Sequence, residues 1–259
     1  EEYQRAKKRL IFEEVYLYKH EFLESLLKYD KKQSFGISIE SKFTENFIKR
    51  LPFTLTDGQR SALDRVFDSL QSIQSTRVLI QGDVGCGKTI VAVIACLNVI
   101  RNGYQCLVLV PTEVLCNQHF KTFTSLFDDV GKVVMLSGKD STLKKGDIKL
   151  ELKNGQISIL IATHALLYDD YDFKNLALVV IDEQHKFGVK QREKITSNYA
   201  FQPHLIYMSA TPIPRTLALV LYENMNYIKI PDKPSSQKRT MSAVYLSLIH
   251  ISEPTRPLY

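Results

Sequence analysis

The stretch Gly82-Asp83-Val84-Gly85-Cys86-Gly87-Lys88-Thr89 decides how this chain is read. It fits the pattern G-x-x-x-x-G-K-[ST], whose glycines let the backbone bend until several N–H groups point at one phosphate chain. In that pattern Lys88 reaches the β- and γ-phosphates, and the Thr89 hydroxyl holds Mg²⁺. Gly82, Asp83, Val84, Gly85, Cys86 and Gly87 form the loop itself. The apolar run Val78-Leu79-Ile80 precedes it, and a helix-compatible stretch from Ile90 to Ile100 follows. Strand, loop and helix in that order set the partial positive charge of a helix N-terminus against the phosphates.

A second apolar run, Leu178-Val179-Val180-Ile181, ends in Asp182-Glu183-Gln184-His185. One acid can sit on the metal and the other can polarise a water. A triphosphate-holding loop and an acid pair together imply nucleotide hydrolysis. The two segments are separated by about three βα units of roughly 30 residues each, which puts the acids on the same sheet as the loop. Ligands of open α/β sheets bind at the carboxyl ends of the strands, where both segments fall.

The rest of the pattern agrees with that sheet. Apolar strand candidates lie at 77–81, 106–110, 132–136, 157–161, 176–181 and 204–208, with a last one near 227–230. Helical stretches at 57–73, 88–101, 113–127, 142–154 and 213–223 lie between most of them. Alternating strands and helices predict an α/β fold, a parallel sheet with helices on both faces. Residues 1–30 read as one long amphipathic helix, with Ile11, Val15, Tyr18, Phe22, Leu26 and Tyr29 on one face. Residues 31–50 are polar and read as a linker with one short helix, and 231–241 as an exit linker.

Net charge is +6 and the isoelectric point about 9.0, which suits a polyanionic partner. The apolar fraction of 44% is enough for a sizeable core. Cysteines at 86, 96, 106 and 116 form no CxxC pair, so they read as small reduced apolar residues. His20, His119, His185 and His204 show no metal-ligand spacing. The sequence has neither a signal peptide nor the long apolar run of a membrane span, so a cytoplasmic location without membrane contact is expected. A start at Glu1 is expected of a piece of a longer protein.

Other segments gather on the same sheet edge. Leu51-Pro52-Phe53-Thr54-Leu55-Thr56-Asp57-Gly58-Gln59 lies ahead of the first strand. Gln59 has the donor and acceptor that suit an adenine edge, and Phe53 a face for stacking. The alternatives are Thr56 as a helix cap, Gln59 on a helix surface and Phe53 in the core. Thr112 and Thr163 follow strands, where hydroxyls either cap helices or hold nucleic-acid phosphates, and His164 lies beside the second. Ser209-Ala210-Thr211-Pro212-Ile213-Pro214 makes a stiff strand-to-helix turn that can bond the acid loop and transmit nucleotide state.

These segments occur in the motif order of superfamily 2 helicases. The spellings GDVGCGKT, PTEVLCNQH, ATHALL, DEQHKFGVKQR and SATPIPRTLAL resemble the RecG family of branchpoint-remodelling DNA helicases, over roughly residues 3–243. Gln184-His185 and Ala165 favour that family over the transcription-repair coupling and primosomal helicases. The resemblance implies a RecA-like motor domain at 51–232 that uses ATP and Mg²⁺. Residues 1–50 would connect it to a wedge domain, and 233–246 would lead to a second motor domain bearing an arginine finger. It implies a monomer that remodels forked or four-way DNA. Thr112, Thr163 and His164 would touch DNA, while Gln184, His185, Ser209 and Thr211 would couple it to nucleotide state. These 259 residues by themselves are expected to bind MgATP but hydrolyse it poorly and unwind nothing. The departures are Cys86 for Ser, Ala162 for Gly and Lys186 for Arg. Residues 247–259 have no family counterpart and read as an adapter-derived tail. A P-loop kinase, or a nucleotide-binding module without DNA contact, is the alternative from another class.

Overall fold

Seven strands line up in one parallel sheet in the order β3-β4-β2-β5-β6-β1-β7. They are β1 (Arg77–Gly82), β2 (Gln105–Val110), β3 (Val133–Leu136), β4 (Ile159–Thr163), β5 (Leu176–Asp182), β6 (His204–Ser209) and β7 (Asn226–Ile230). Five helices accompany them: α1 (Ser41–Arg50), α2 (Asp57–Leu70), α3 (Lys88–Arg101), α4 (Glu113–Phe127) and α5 (Thr142–Asn154). The computed structural model describes residues 33–127, 130–138, 140–163, 171–183, 199, 201–211 and 225–234, with scattered positions between 3 and 16. All seven strands expected from the sequence are present, as are the helices expected from 57, 88, 113 and 142. The helix expected at 213–223 lies outside the described residues, as do the apolar stripe of the leading helix and residues 235–259.

The sequence forms this sheet because its central strands are apolar on both faces. β5 buries Leu176 to Ile181 in an unbroken run, as a parallel sheet covered on both sides requires. Each such side chain contributes about 1.5–3 kcal/mol on leaving water. Leu136, Ala162, Leu109, Ile181, Tyr207, Leu79 and Tyr227 form one row across the sheet. All but Tyr227 are buried in one core, with Ile148 and Leu152 of α5, and Tyr227 packs against that core. Side chains alternate along a strand, so the next row faces the other way. Val110, Met208 and Ile80 of that row join the second core, with α1, α2, α3 and α4. Helices therefore cover both faces. α3 buries every residue from Ile90 to Ile100, as a helix wedged between sheet and outer helices must.

Residues 33–50, expected as a linker, belong to the packed body. Ile37, Phe47 and Ile48 are buried in the second core. Thr44 donates to Asn98 Oδ1 at 3.0 Å, and the backbone N–H groups of Ser34 and Ile37 donate to Ile73 and Leu70. Phe35, Ile39 and Phe43 pack against that core as well, so the apolar side chains of this mostly polar segment are set where they meet it.

All four cysteines are free and buried. Burial pushes the Cys116 thiol up to about 11 and Cys106 well above its usual value, so neither is a nucleophile. Among the described residues no helix is long and apolar enough to cross a membrane.

His204, at the start of β6, ties the sheet to the segment around Phe35. Its Nε2 donates to the Phe35 carbonyl at 2.9 Å, and its Nδ1 accepts from the Thr76 N–H at 3.3 Å. Burial holds its pKa below the usual 6.5, against the opposing pull of the Phe35 carbonyl. The folded state thus prefers the neutral ring. Its contribution to stability is complete above pH 6.5 and is lost as pH falls below that value. The melting temperature should decline between pH 7.5 and 5.5, and His204→Gln, which keeps a donor for Phe35, should flatten the decline. An unchanged slope in that variant would refute the assignment.

Candidate nucleotide-binding site

The phosphate loop leaves β1 at Gly82 and enters α3 at Lys88. Gly85 and Gly87 both lie in the left-handed region, at φ 81° and 83°, where a side chain is strained. A Cβ on Gly87 would also collide with the Gln59 amide nitrogen. The Cys86 N–H donates to the Asp83 carbonyl at 3.1 Å, closing the loop's turn. Lys88 Nζ donates to the carbonyls of Gly82 (2.8 Å) and Asp83 (3.1 Å), so the ammonium is held over the concave side. The Cys86 side chain is fully buried in the second core. That explains why Cys serves here: only its backbone belongs to the loop.

Gln59 is almost fully buried, and its amide spans two elements. Its Oε1 accepts from the Thr56 N–H (2.9 Å), while the Thr56 hydroxyl accepts from the Gln59 N–H (3.2 Å). This reciprocal cap starts α2. Gln59 Nε2 donates to the Cys86 carbonyl at 2.8 Å. Thr56 is thus the helix cap, while Gln59 is no surface residue: it braces the phosphate loop. Phe53 is 45% exposed and so lies outside the core, with a ring face open to solvent.

Two further contacts close the rim. Asp232, just after β7, accepts from the Gly58 N–H at 3.2 Å. Lys233 pairs with Asp83 at 2.5 Å. Hydrogen bonding from Lys233, then from the Val84 N–H, lowers the pKa of the Asp83 carboxyl. The segment leaving the sheet therefore folds back on the loop before continuing.

The acids lie two strands away. Asp182 pairs in register with Met208, and Met208 with Ile80. Two strand spacings make about 10 Å between the backbones of Asp182 and Ile80, which leads into the loop. Asp182 belongs to the row facing α3 and α4. His119 of α4 meets it there, with Nε2 3.0 Å from Asp182 Oδ2. Glu183 has φ 55°, and among the described residues it is the only non-glycine with positive φ. The strand thus ends in a sharp turn, and such strain gathers at functional sites. The coupling residues Gln184 and His185 lie outside the described residues, and so does His164.

On β6, Ser209 Oγ lies 3.0 Å from Thr211 Oγ1. Gln81, immediately before the loop, donates from Nε2 to the Thr211 carbonyl at 2.7 Å and accepts from the Tyr227 hydroxyl through Oε1. The strand that leads into the phosphate loop and the Ser209–Thr211 turn are therefore joined directly. Thr112 caps α4, its hydroxyl accepting from the Leu115 N–H at 3.3 Å. Thr163 ends β4 opposite Val110, two residues before Thr112, so both threonines share the loop's sheet edge. Sequence reading missed Gln81 and His119. The available signal for His119 was a polar residue among Cys116, Phe123 and Phe127 on the buried face of α4.

The loop's amides and Lys88 form a cradle for a polyphosphate, and Thr89 and Asp182 are oxygen donors of the kind hard divalent cations take. A parallel sheet with this cradle and acid pair on one edge defines a RecA-like nucleotide-binding domain. Within that class, the chain belongs to the DEAD/DEAH box helicases, whose family model matches residues 56–220. It is 39% identical over 240 residues to the ATP-dependent DNA helicase RecG of Aquifex aeolicus, covering 92% of this chain and 30% of that protein. The Bacillus subtilis RecG is 40% identical over 238 residues, covering 90% and 34%. The structure of a RecG bound to a three-way DNA junction superposes with a TM-score of 0.76 at 37% identity, covering 91% of this chain and 32% of that one. The chain thus spans about a third of the length of these relatives.

Proposed function

We propose that this chain is the first motor domain of an ATP-driven DNA helicase that remodels branched DNA in recombination and repair. One observation supports it most: the phosphate loop, the acid pair, the Ser209–Thr211 turn and the two strand-end threonines share one sheet edge. The likeness to RecG relatives supplies the DNA substrate. In the intact protein a second motor domain, a wedge domain, a monomeric state and work on DNA in the bacterial cytoplasm complete the reading.

Phe53 stacks on the base, and the Gln59 amide reads it while bracing the loop. Lys88 and the loop amides hold the β- and γ-phosphates. Thr89 and Asp182 hold Mg²⁺, which neutralises phosphate charge when bound. Glu183 takes the proton of the attacking water. Gln81 carries the state of the loop to Thr211, and Ser209, Gln184 and His185 pass it on. Thr112, Thr163 and His164 contact the DNA backbone.

The test is salt dependence. Each phosphate that the protein neutralises contributes about 0.9 to the slope of log K against log salt. Anisotropy of a labelled three-way junction with this chain should give a slope steeper than about −2. A slope near zero, or no binding at low salt, would leave a nucleotide-binding module without DNA contact.

A further inference from the structure

We infer that His119 is a positioning residue that aims the Asp182 carboxylate at the nucleotide's metal ion. The inference rests on the reading that Asp182 holds that ion.

His119 stands on the second turn of α4, 5% exposed, on the face that also buries Cys116, Phe123 and Phe127. An apolar side chain would serve packing there. A histidine carries two polar nitrogens into the core, and a buried polar atom without a partner costs about 1–3 kcal/mol. His119 Nδ1 is such an atom: it is buried, with no hydrogen-bond partner among the described residues. Its ring lies 6.3 Å from that of Phe123, centroid to centroid. Packing therefore does not account for the residue, and its one polar contact among the described residues must.

That contact goes to one oxygen of Asp182. The side chains are 6% and 14% exposed, and Nε2 lies 3.0 Å from Oδ2. An ionised carboxylate only accepts hydrogen bonds, so Nε2 carries the hydrogen and donates it. One bond to Oδ2 fixes the rotation of the carboxylate and leaves Oδ1 for a cation. Partners of this kind behind a metal ligand typically change metal affinity by about 10–100-fold when removed. The bond also joins the acid to α4, the helix that Thr112 caps at the edge assigned to DNA.

The experiment uses the 259-residue chain and Mn²⁺ as the probe. Electron paramagnetic resonance titration gives Mn²⁺ affinity in the presence of ADP, and a fluorescent ADP analogue gives nucleotide affinity in EDTA. His119→Phe should weaken Mn²⁺ binding about tenfold and leave metal-free nucleotide affinity unchanged. His119→Gln, whose amide nitrogen reaches the same place, should restore most of the loss. Should the Phe variant fail to fold, His119→Asn replaces it, since its amide falls short of Asp182. Wild-type Mn²⁺ affinity in the Phe or Asn variant overturns the inference. Equal loss of metal-bound and metal-free nucleotide overturns it too, because that marks general damage. Asp182→Asn separates the underlying reading: if it leaves Mn²⁺ affinity unchanged, Asp182 is not the metal's holder.

Discussion

The Lys88→Ala variant is expected to lose nucleotide binding altogether at ordinary ATP concentrations. Lys88 is the one side-chain cation that the loop itself carries, and two carbonyls of that loop, Gly82 and Asp83, hold it over the cradle. Hydrogen bonds to charged groups are worth about 1.5–3 kcal/mol each. Two such bonds, to the β- and γ-phosphates, amount to roughly two to four decades of affinity at 1.4 kcal/mol per decade. Removing the ammonium also leaves the phosphate charge to the loop amides alone. Equilibrium titration with a fluorescent ATP analogue measures the effect, and a melting curve confirms that the variant is folded. Affinity within threefold of the parent would show that the phosphates sit elsewhere.

Glu183→Gln should separate binding from chemistry. The substitution keeps the shape of the side chain and the turn at φ 55°, but removes the carboxylate that accepts a proton from water. General-base catalysis contributes about 10²–10⁴-fold, and a loss in that range is expected. Nucleotide affinity should stay near that of the parent, because Glu183 is not assigned to the phosphates or the metal. The two variants thus have opposite signatures: one fails to bind, the other binds and stalls. Single-turnover hydrolysis with the protein in excess is the proper measurement, because it registers slow chemistry without needing release. Turnover within threefold of the parent would remove Glu183 from the reaction.

The central strands were readable because they are apolar runs buried on both faces, while β7 at the sheet edge carries exposed Asn226 and Lys229. The phosphate loop and the acids were readable because their chemistry demands fixed residues at fixed spacing. What escaped reading was whatever depends on strand order and cross-chain contact. Nothing in the spelling of residues 204–209 says that β6 inserts between β5 and β1, so the distance between Asp182 and the loop could not be derived. Gln59 looked like a nucleotide contact or a surface residue. It is no surface residue and it braces Cys86 from another element, a role visible only once the 26 residues between them have folded. His119 looked like one of several uninformative histidines until β5 and α4 were brought together. Residues 33–50 read as a linker because hydropathy averages hide the apolar side chains that meet the core, Ile37, Phe47 and Ile48 among them.

The neighbours of β1 have a consequence for how this domain is made. On one side β1 pairs with β6 and on the other with β7, both from residues 204–230. A chain emerging from the ribosome therefore presents the phosphate loop's strand early and leaves both its edges open until nearly the last residues of the sheet arrive. Pairing so distant in sequence is slow to form. The strand that leads into the nucleotide site is thus flanked on both sides by residues made well after it, from 204 to 230.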